Sequence, residues 1–402
     1  MIDIGEVRLG TPVMLAPMAG VTNPPFRQIC REYGEAGLAA AGVPDDAVRG
    51  TVAPTGLYVC EMITTRALVE RIPETMNMIK PDLGDPVRSI QLYGVEPGVV
   101  GAAVKILVAE DRADHIDLNF GCPVPKVTRK GGGSALPWKH DLFEGIVREA
   151  VRASEEASKG RGHVVPVTAK FRIGIDDDHE TMVDVARISK DAGIAALTLH
   201  ARTTAQHYAG KADWESIARL RDLTDLPLFG NGDVFEIEDA EAMRQQTGCD
   251  GVVVGRGCQG RPWLFHDLVA AEHGSPERAR PTLRQVADVI VRHAELSVEH
   301  FNGDEHRAVR EMRKHIGWYL RGFAVGGETR NTLALVSTVE ELRARLDALD
   351  LDQEYPEAAE GPRGRAGSPK RPHLPEGWLE SHTISAEHRE KILEAELGIS
   401  GG

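Results

Sequence analysis

Cys122 lies in the run His115-Ile116-Asp117-Leu118-Asn119-Phe120-Gly121-Cys122-Pro123, where a strand pattern gives way to a loop. Ile116, Leu118 and Phe120 alternate as strand residues do, and Gly121 and Pro123 stop the strand on either side of the thiol. Cys122 is therefore the candidate catalytic residue, although a cysteine in an apolar setting also serves as a small core residue. Lys126, Arg129, Lys130 and the triplet Gly131-Gly132-Gly133 follow it, a cationic and bendable loop that would close over an anionic ligand.

Lys170 ends another apolar run, in Ala169-Lys170-Phe171-Arg172. An unpaired buried ammonium is costly, so it should face an anion or an electron-rich ring. Three roles fit it: the amine of a Schiff base, as in aldolase-type barrels, a cation that stabilises negative charge on a reduced flavin, or half of a structural ion pair. Gly230-Asn231-Gly232-Asp233 and Gly255-Arg256-Gly257 end two further runs. Their glycines let backbone N–H groups approach phosphate oxygens, and Arg256 adds a charge-assisted contact.

The elements that must carry these residues are short apolar runs alternating with amphipathic stretches, the signature of repeated βα units. Eight runs read as strands: Val13 to Ala16, Leu57 to Glu61, Ser89 to Tyr93, His115 to Leu118, Val165 to Phe171, Ala195 to His200, Leu226 to Gly230 and Gly251 to Gly255. Helical spacing occupies Leu142 to Ala153, Met182 to Ala192, Trp214 to Asp222 and Ile237 to Thr247. The fold expected is α/β, a (β/α)8 TIM barrel, because polar residues recur at the strand ends: Gln91, Asn119, Lys170, Arg172, His200, Arg202, Asn231, Asp233 and Arg256. A closed barrel gathers those ends on one face, whereas a doubly wound open sheet spreads them along an edge. The stretch Gly34 to Gly56, rich in Ala, Gly, Pro and Asp, reads as an exposed insertion.

Three divisions are expected: a catalytic barrel over residues 1–280, a helical domain over 281–350, and a Pro/Gly-rich tail over 351–402. Helices are expected at Leu283 to Phe301, Glu305 to Tyr319 and Val339 to Leu349. Within Arg307 to Arg330, six basic residues stand against Glu311 and Glu328, with Trp318, Tyr319 and Phe323 interleaved. That pattern is either a nucleic-acid footprint or a solvated face over a buried aromatic edge. Asp352 to Pro375 should be a disordered linker, with a short helix near Ala386 to Leu397.

Composition excludes several classes. The chain has 402 residues, is 42% hydrophobic and carries a formal net charge of −14, so a wholly nucleic-acid-coated surface is disfavoured. It has no apolar run of about 18 residues to span a bilayer, and its start lacks a basic region followed by an apolar one. A cytoplasmic protein without a membrane partner is expected. The cysteines Cys30, Cys60, Cys122, Cys249 and Cys258 are widely spaced, with no Cys-x-x-Cys pair, which argues against disulfides and against a metal site.

Taken in order, these motifs resemble the tRNA-dihydrouridine synthases, FMN-dependent barrel enzymes that reduce uridine to dihydrouridine in tRNA. The likeness covers about residues 11–350 and rests on Leu15-Ala16-Pro17-Met18-Ala19-Gly20-Val21-Thr22 with Pro25-Phe26-Arg27, on Gln91-Leu92-Tyr93-Gly94, and on Asn119-Phe120-Gly121-Cys122-Pro123. It continues in Lys170-Phe171-Arg172, His200-Ala201-Arg202-Thr203, the two glycine turns, and Lys314-His315 with Trp318-Tyr319. The Gly34 to Gly56 stretch and the extension after Leu351 depart from the family.

The resemblance implies that Pro17, Met18 and Ala19 pack against FMN, that Gln91 hydrogen-bonds its ring, and that Lys170 meets its pyrimidine side. His200 would help hold the cofactor, with Asn231, Gly232, Asp233, Gly255 and Arg256 around its phosphate. Asn119, Arg172 and Arg202 would bind the substrate uracil, and Cys122 would donate a proton to C5 after hydride reaches C6. The implied reductant is NADPH or NADH, the implied partner is tRNA held by the helical domain, and the expected state is a monomer. Two rivals remain at this level: a flavin oxidoreductase acting on free pyrimidines, of the dihydroorotate or dihydropyrimidine type, and a Schiff-base lyase using Lys170. A non-catalytic RNA-binding barrel would have no need of Lys170 or Cys122 in a pocket.

Overall fold

The computed structural model of this protein describes residues 1–43, 52–80, 84–364 and 366–397. All eight expected strands occur, at Val13–Leu15, Leu57–Tyr58, Ser89–Tyr93, His115–Phe120, Val167–Arg172, Leu197–His200, Leu228–Asn231 and Gly251–Val254, and they pair in parallel. The second differs from its expected span. It is split: Leu57–Tyr58 pairs with the first strand, while Ile63–Thr64 pairs with the third. Between the halves, the Cys60 N–H donates to Ser89 O at 3.0 Å. The chain thus crosses from one neighbour to the other, and the sheet closes into the (β/α)8 barrel.

Amphipathic helices cover the barrel. His140–Ala157 buries Leu142, Phe143, Ile146, Val147, Ala150 and Ala153, a spacing that puts one apolar face on the sheet. At the end where the strands begin, the hairpin Ile2–Ile4 with Val7–Leu9 packs Ile4, Val7 and Leu9 among Met14, Phe229 and Val253. That plug leaves the other end open.

The insertion expected at Gly34 to Gly56 is in part a helix, because Pro24–Ala40 runs through Gly34 and Gly37. A Cβ on Gly34 would meet the Tyr58 hydroxyl, and one on Gly37 would strike the His266 carbonyl. These glycines let the helix lie close against its neighbours. Residues 44–51 of that stretch lie outside the described residues.

Helices Leu283–His300, Glu305–Tyr319, Gly327–Leu333 and Val339–Asp347 follow the barrel and share a core of their own around Leu283, Val286, Ile290, Val309, Met312, Ile316 and Leu342. Phe26 joins them to the first barrel helix by stacking near His293 and His315, with centroids 5.7 and 5.6 Å away. Tyr319 and Phe323 are buried in that core, so of the three interleaved aromatics only Trp318 is left to face a ligand.

Within Asp352 to Pro375, expected as a disordered linker, Ala359 and Arg363 are buried and the Lys370 N–H donates to Ala205 O, so the segment is laid against the barrel, and the chain after it is anchored too. Trp378 is 1% exposed and donates from Nε1 to Ala135 O at 2.9 Å, and Lys139 Nζ donates to Ser381 O at 2.6 Å. A few large anchors hold an otherwise polar chain, which composition averaged over the segment does not reveal. The short helix Ala386–Leu397 follows as expected. Among the described residues, no helix is long and apolar enough to cross a membrane.

Candidate active site

Strand register sets the polar ends side by side. Asn119 pairs with Lys170, and two residues further along the strands Arg172 pairs with His200 and His200 with Asn231, so four consecutive strands deliver their functional residues at two successive levels of one barrel end. They open into a cavity of about 910 Å³. Its lining includes Pro17, Met18, Ala19, Gln91, Asn119, Cys122, Lys170, Arg172, His200, Arg202, Asn231, Gly232, Asp233, Gly255 and Arg256, the residues given catalytic, cofactor or substrate roles from the sequence, but not Lys126, Arg129 or Lys130.

The thiol is held by its loop. Asn119 Oδ1 accepts from the N–H groups of Gly121 (3.1 Å) and Cys122 (3.0 Å), folding the chain back at the strand end. Asn119 Nδ2 donates to Gln91 Oε1 at 2.8 Å, and Gln91 Nε2 donates to Asp117 Oδ2 at 2.7 Å. Below this, Thr168 Oγ1 donates to Asp117 Oδ1 at 2.7 Å and faces His115 Nε2 at 2.9 Å, while His115 Nδ1 faces Ser89 Oγ at 2.7 Å. Because the Thr168 hydroxyl proton goes to Asp117, His115 carries its proton on Nε2 and accepts from Ser89. Burial pushes His115 down to about 3, which keeps it neutral. A polar ladder inside the barrel therefore orients the Cys122 turn.

Gly131 to Gly133 differ from the bendable lid expected. Gly131 lies under the Trp378 ring, Gly132 against the Tyr93 side chain, and Gly133 against the Cys122 carbonyl, each too close for a Cβ. Ser134 donates from N and Oγ to Cys122 O, both at 3.1 Å. The triplet serves close packing, and it clamps the loop that carries the thiol.

Cys122 is half-buried, and burial pushes its thiol above the ordinary value, with Arg172 and Lys170 opposing the shift. It stays protonated at neutral pH. Lys170 is pushed down to about 8, first by burial and then by Arg172, against the pull of Asp117 and Cys122. Its ammonium finds no hydrogen-bond acceptor among the described residues. His200 is held well below its ordinary value by burial and by the surrounding cations, so it is neutral.

Arg172 and Arg202 are built in more deeply than a substrate-binding role alone requires. Arg172 donates from Nε to Gly121 O (2.8 Å) and from Nη1 to Thr203 O (2.9 Å) and His207 O (2.8 Å). It ties the loop after the fourth strand to the loop after the sixth. Arg202 Nη2 bridges both oxygens of Asp233 at 2.8 Å and Gly210 O at 2.7 Å, while its buried Nη1 has no partner. Asp233 also faces Arg256 Nη2 at 3.4 Å and has a φ of +59°, a conformation that Asp tolerates and bulky residues do not. Gly232 precedes it at φ +130°, which glycine alone adopts readily.

The lining residues not marked as site residues from the sequence include Met62, Tyr208, Gln259 and Gly364. Tyr208 is the most informative, 39% exposed, with the Arg256 guanidinium 4.9 Å from its ring centroid and that of Arg172 5.6 Å away. Its only signal was one aromatic in the loop after the sixth strand. Lys314 and Trp318 complete the wall from the helix Glu305–Tyr319.

Residues 14–357 match the family model described as "Dihydrouridine synthase (Dus)". The probable tRNA-dihydrouridine synthase of Mycobacterium tuberculosis (strain CDC 1551 / Oshkosh) is 52% identical over 379 residues, which are 94% of this chain and 92% of that protein. That of Mycobacterium leprae is 52% identical over 91% of this chain and 95% of its own length. The tRNA-dihydrouridine synthase B of Vibrio cholerae is 33% identical over 87% of this chain and 98% of its own length. On this match, over the residues that build both barrel and cavity, the chain belongs to the dihydrouridine synthase family.

Proposed function

We propose that this protein is a flavin-dependent oxidoreductase that reduces the C5–C6 double bond of uridine in tRNA to 5,6-dihydrouridine, with FMN as cofactor and NADPH or NADH as reductant. The observation that carries the reading is one cavity holding a protonated thiol and an unpartnered ammonium, walled on one side by a basic helical segment.

The residues present fit a flavin. The cavity lies within the range of about 300–1,000 Å³ usual for cofactor sites. Pro17, Met18 and Ala19 give an apolar wall, and Lys170 and the unpartnered Arg202 Nη1 give positive charge where protein acceptors are missing. Gly232, Gly255 and Arg256 suit the phosphate, with Asp233 holding Arg202 and Arg256 in place. His200, neutral, and Asn231 complete the cofactor side. Bound FMN, reduced by the nicotinamide, supplies a hydride to C6 of the uracil.

Cys122 then donates its proton to C5, and the thiolate recovers a proton from solvent. A thiol kept protonated suits that step, since a general acid must hold its proton until the carbon needs it. Asn119 and Arg172 position Cys122 by fixing Gly121 and the turn, so their part in orienting the uracil runs mainly through the loop. The target base must leave the tRNA stack to reach the thiol. Lys314 and Trp318 border the entrance, with Arg307 and Arg310 exposed on the same helix. Arg313, Arg321 and Arg330 donate instead to the carbonyls of Val336, Pro362 and Leu320, so half of the basic residues of that segment are structural. The protein acts as a cytoplasmic monomer.

Incubating the flavin-loaded protein and NADPH with unmodified tRNA, and separately with uracil or dihydroorotate, tests the reading. Dihydrouridine should form in tRNA with little turnover of the free pyrimidines. Comparable turnover of a free pyrimidine, or none of tRNA, would overturn it.

A further inference from the structure

Residues 118–140 and 361–375 of this acidic chain are basic stretches without Asp or Glu. Residues 118–140 carry Lys126, Arg129, Lys130 and Lys139, and residues 361–375 carry Arg363, Arg365, Lys370 and Arg371. The fold brings the two stretches together along the cavity mouth, Arg365 lying outside the described residues. Gly364 lines the cavity and its Cβ position lies 2.9 Å from Arg256, just past the eighth strand. The Lys370 N–H donates to Ala205 O at 2.8 Å, past the sixth strand. Arg129 Nη2 donates to His373 Nδ1 at 3.4 Å, past the fourth. Trp378 then anchors the chain on Ala135. The strap therefore follows the rim from the eighth strand to the fourth. Lys314 lies by the first, 3.4 Å from a Cβ position on Gly20.

From this path we infer that residues 361–364 and 366–375 form a second cationic lip of the RNA entrance, which contacts tRNA phosphates together with the Cys122 loop. The inference rests on the proposed tRNA reading and extends it to a surface beyond the 14–357 family match. Holding the strap down uses Arg363 and leaves Lys370 and Arg371 over. Arg363, buried, serves as an anchor by donating to the carbonyls of Gln259 (3.0 Å), Trp318 (3.3 Å) and Ala359. The Lys370 and Arg371 side chains, by contrast, are exposed and make no hydrogen bond or ion pair with the described residues. In a protein of net charge −14, an acid-free run laid along the mouth of the cavity concentrates positive potential where a polyanion would enter.

The test is tRNA affinity of the full-length, flavin-loaded protein as a function of salt. Lys370→Ala/Arg371→Ala should bind tRNA several-fold more weakly at low salt, and its log K against log[salt] slope should shrink by roughly 1.5, the loss of about two phosphate contacts. Bound flavin should not change. Lys105→Ala/Lys159→Ala, which removes the same charge from exposed sites on the barrel flank, should leave the slope as it is. An unchanged slope in the strap variant, with the unaltered protein still binding tRNA, would overturn this inference and leave the enzymatic reading standing. An equal fall in both variants would reduce the effect to net charge and would also overturn it. Absence of tRNA binding by the unaltered protein would overturn both.

Discussion

Lys170 is an ammonium set deep in the cavity wall with no hydrogen-bond acceptor among the described residues, and burial lowers it to about 8. An anionic group bound beside it would relieve that cost. Affinity for FMN should then be highest below about pH 8, where the lysine is charged before binding, and should fall as pH rises through that value. Lys170→Met should bind FMN about ten- to a hundredfold more weakly, the range of one hydrogen bond to a charged group, and should lose this pH dependence. Flavin titration by fluorescence quenching measures both, and unchanged affinity would remove Lys170 from the cofactor side. Residue type and spacing alone made Lys170 and Cys122 legible in the sequence. They did not show Asp117, Thr168 and His115, because strand alternation places such residues inside the barrel without saying that they join in a chain.

At the scale of elements, the Cys122 loop is positioned from both sides, by the Asn119 turn in front and by Trp378 behind. Gly131 has a φ of +71°, and a Cβ there would stand 2.5 Å from the Trp378 ring, so Gly131→Ala meets backbone strain and a clash at once. The variant should expel Trp378 rather than move the loop's own backbone. Its Tm should fall by a few degrees, and tryptic cleavage after Lys370 should quicken as the strap lifts. Unchanged cleavage would show that Trp378 does not hold the strap. Three glycines in a row read from sequence as freedom to bend, and the structure uses them for close approach. That distinction depends on Trp378, far along the chain and beyond any local pattern.

For the molecule as a whole, the barrel was legible because eight apolar runs recur with helices between them, and their polar ends had to converge once the sheet closed. The second strand's split was not, since only the neighbours on each side decide where a strand changes partners. The strap was misread for the opposite reason: Trp378, Ala359 and Ile392 are buried anchors separated by polar chain, and no periodicity marks them. Averaged over residues 351–402 the tail is acidic, yet its positive half lies by the cavity. Barrel, helical segment and strap together surround one mouth, and the thiol inside it is the point on which the account depends. Cys122→Ala, loaded with FMN, should be reduced by NADPH at the rate of the unaltered protein, but its reduced flavin should fail to be reoxidised by unmodified tRNA and no dihydrouridine should form. Reoxidation by tRNA at the unaltered rate, with dihydrouridine accumulating, would contradict the role assigned to that thiol.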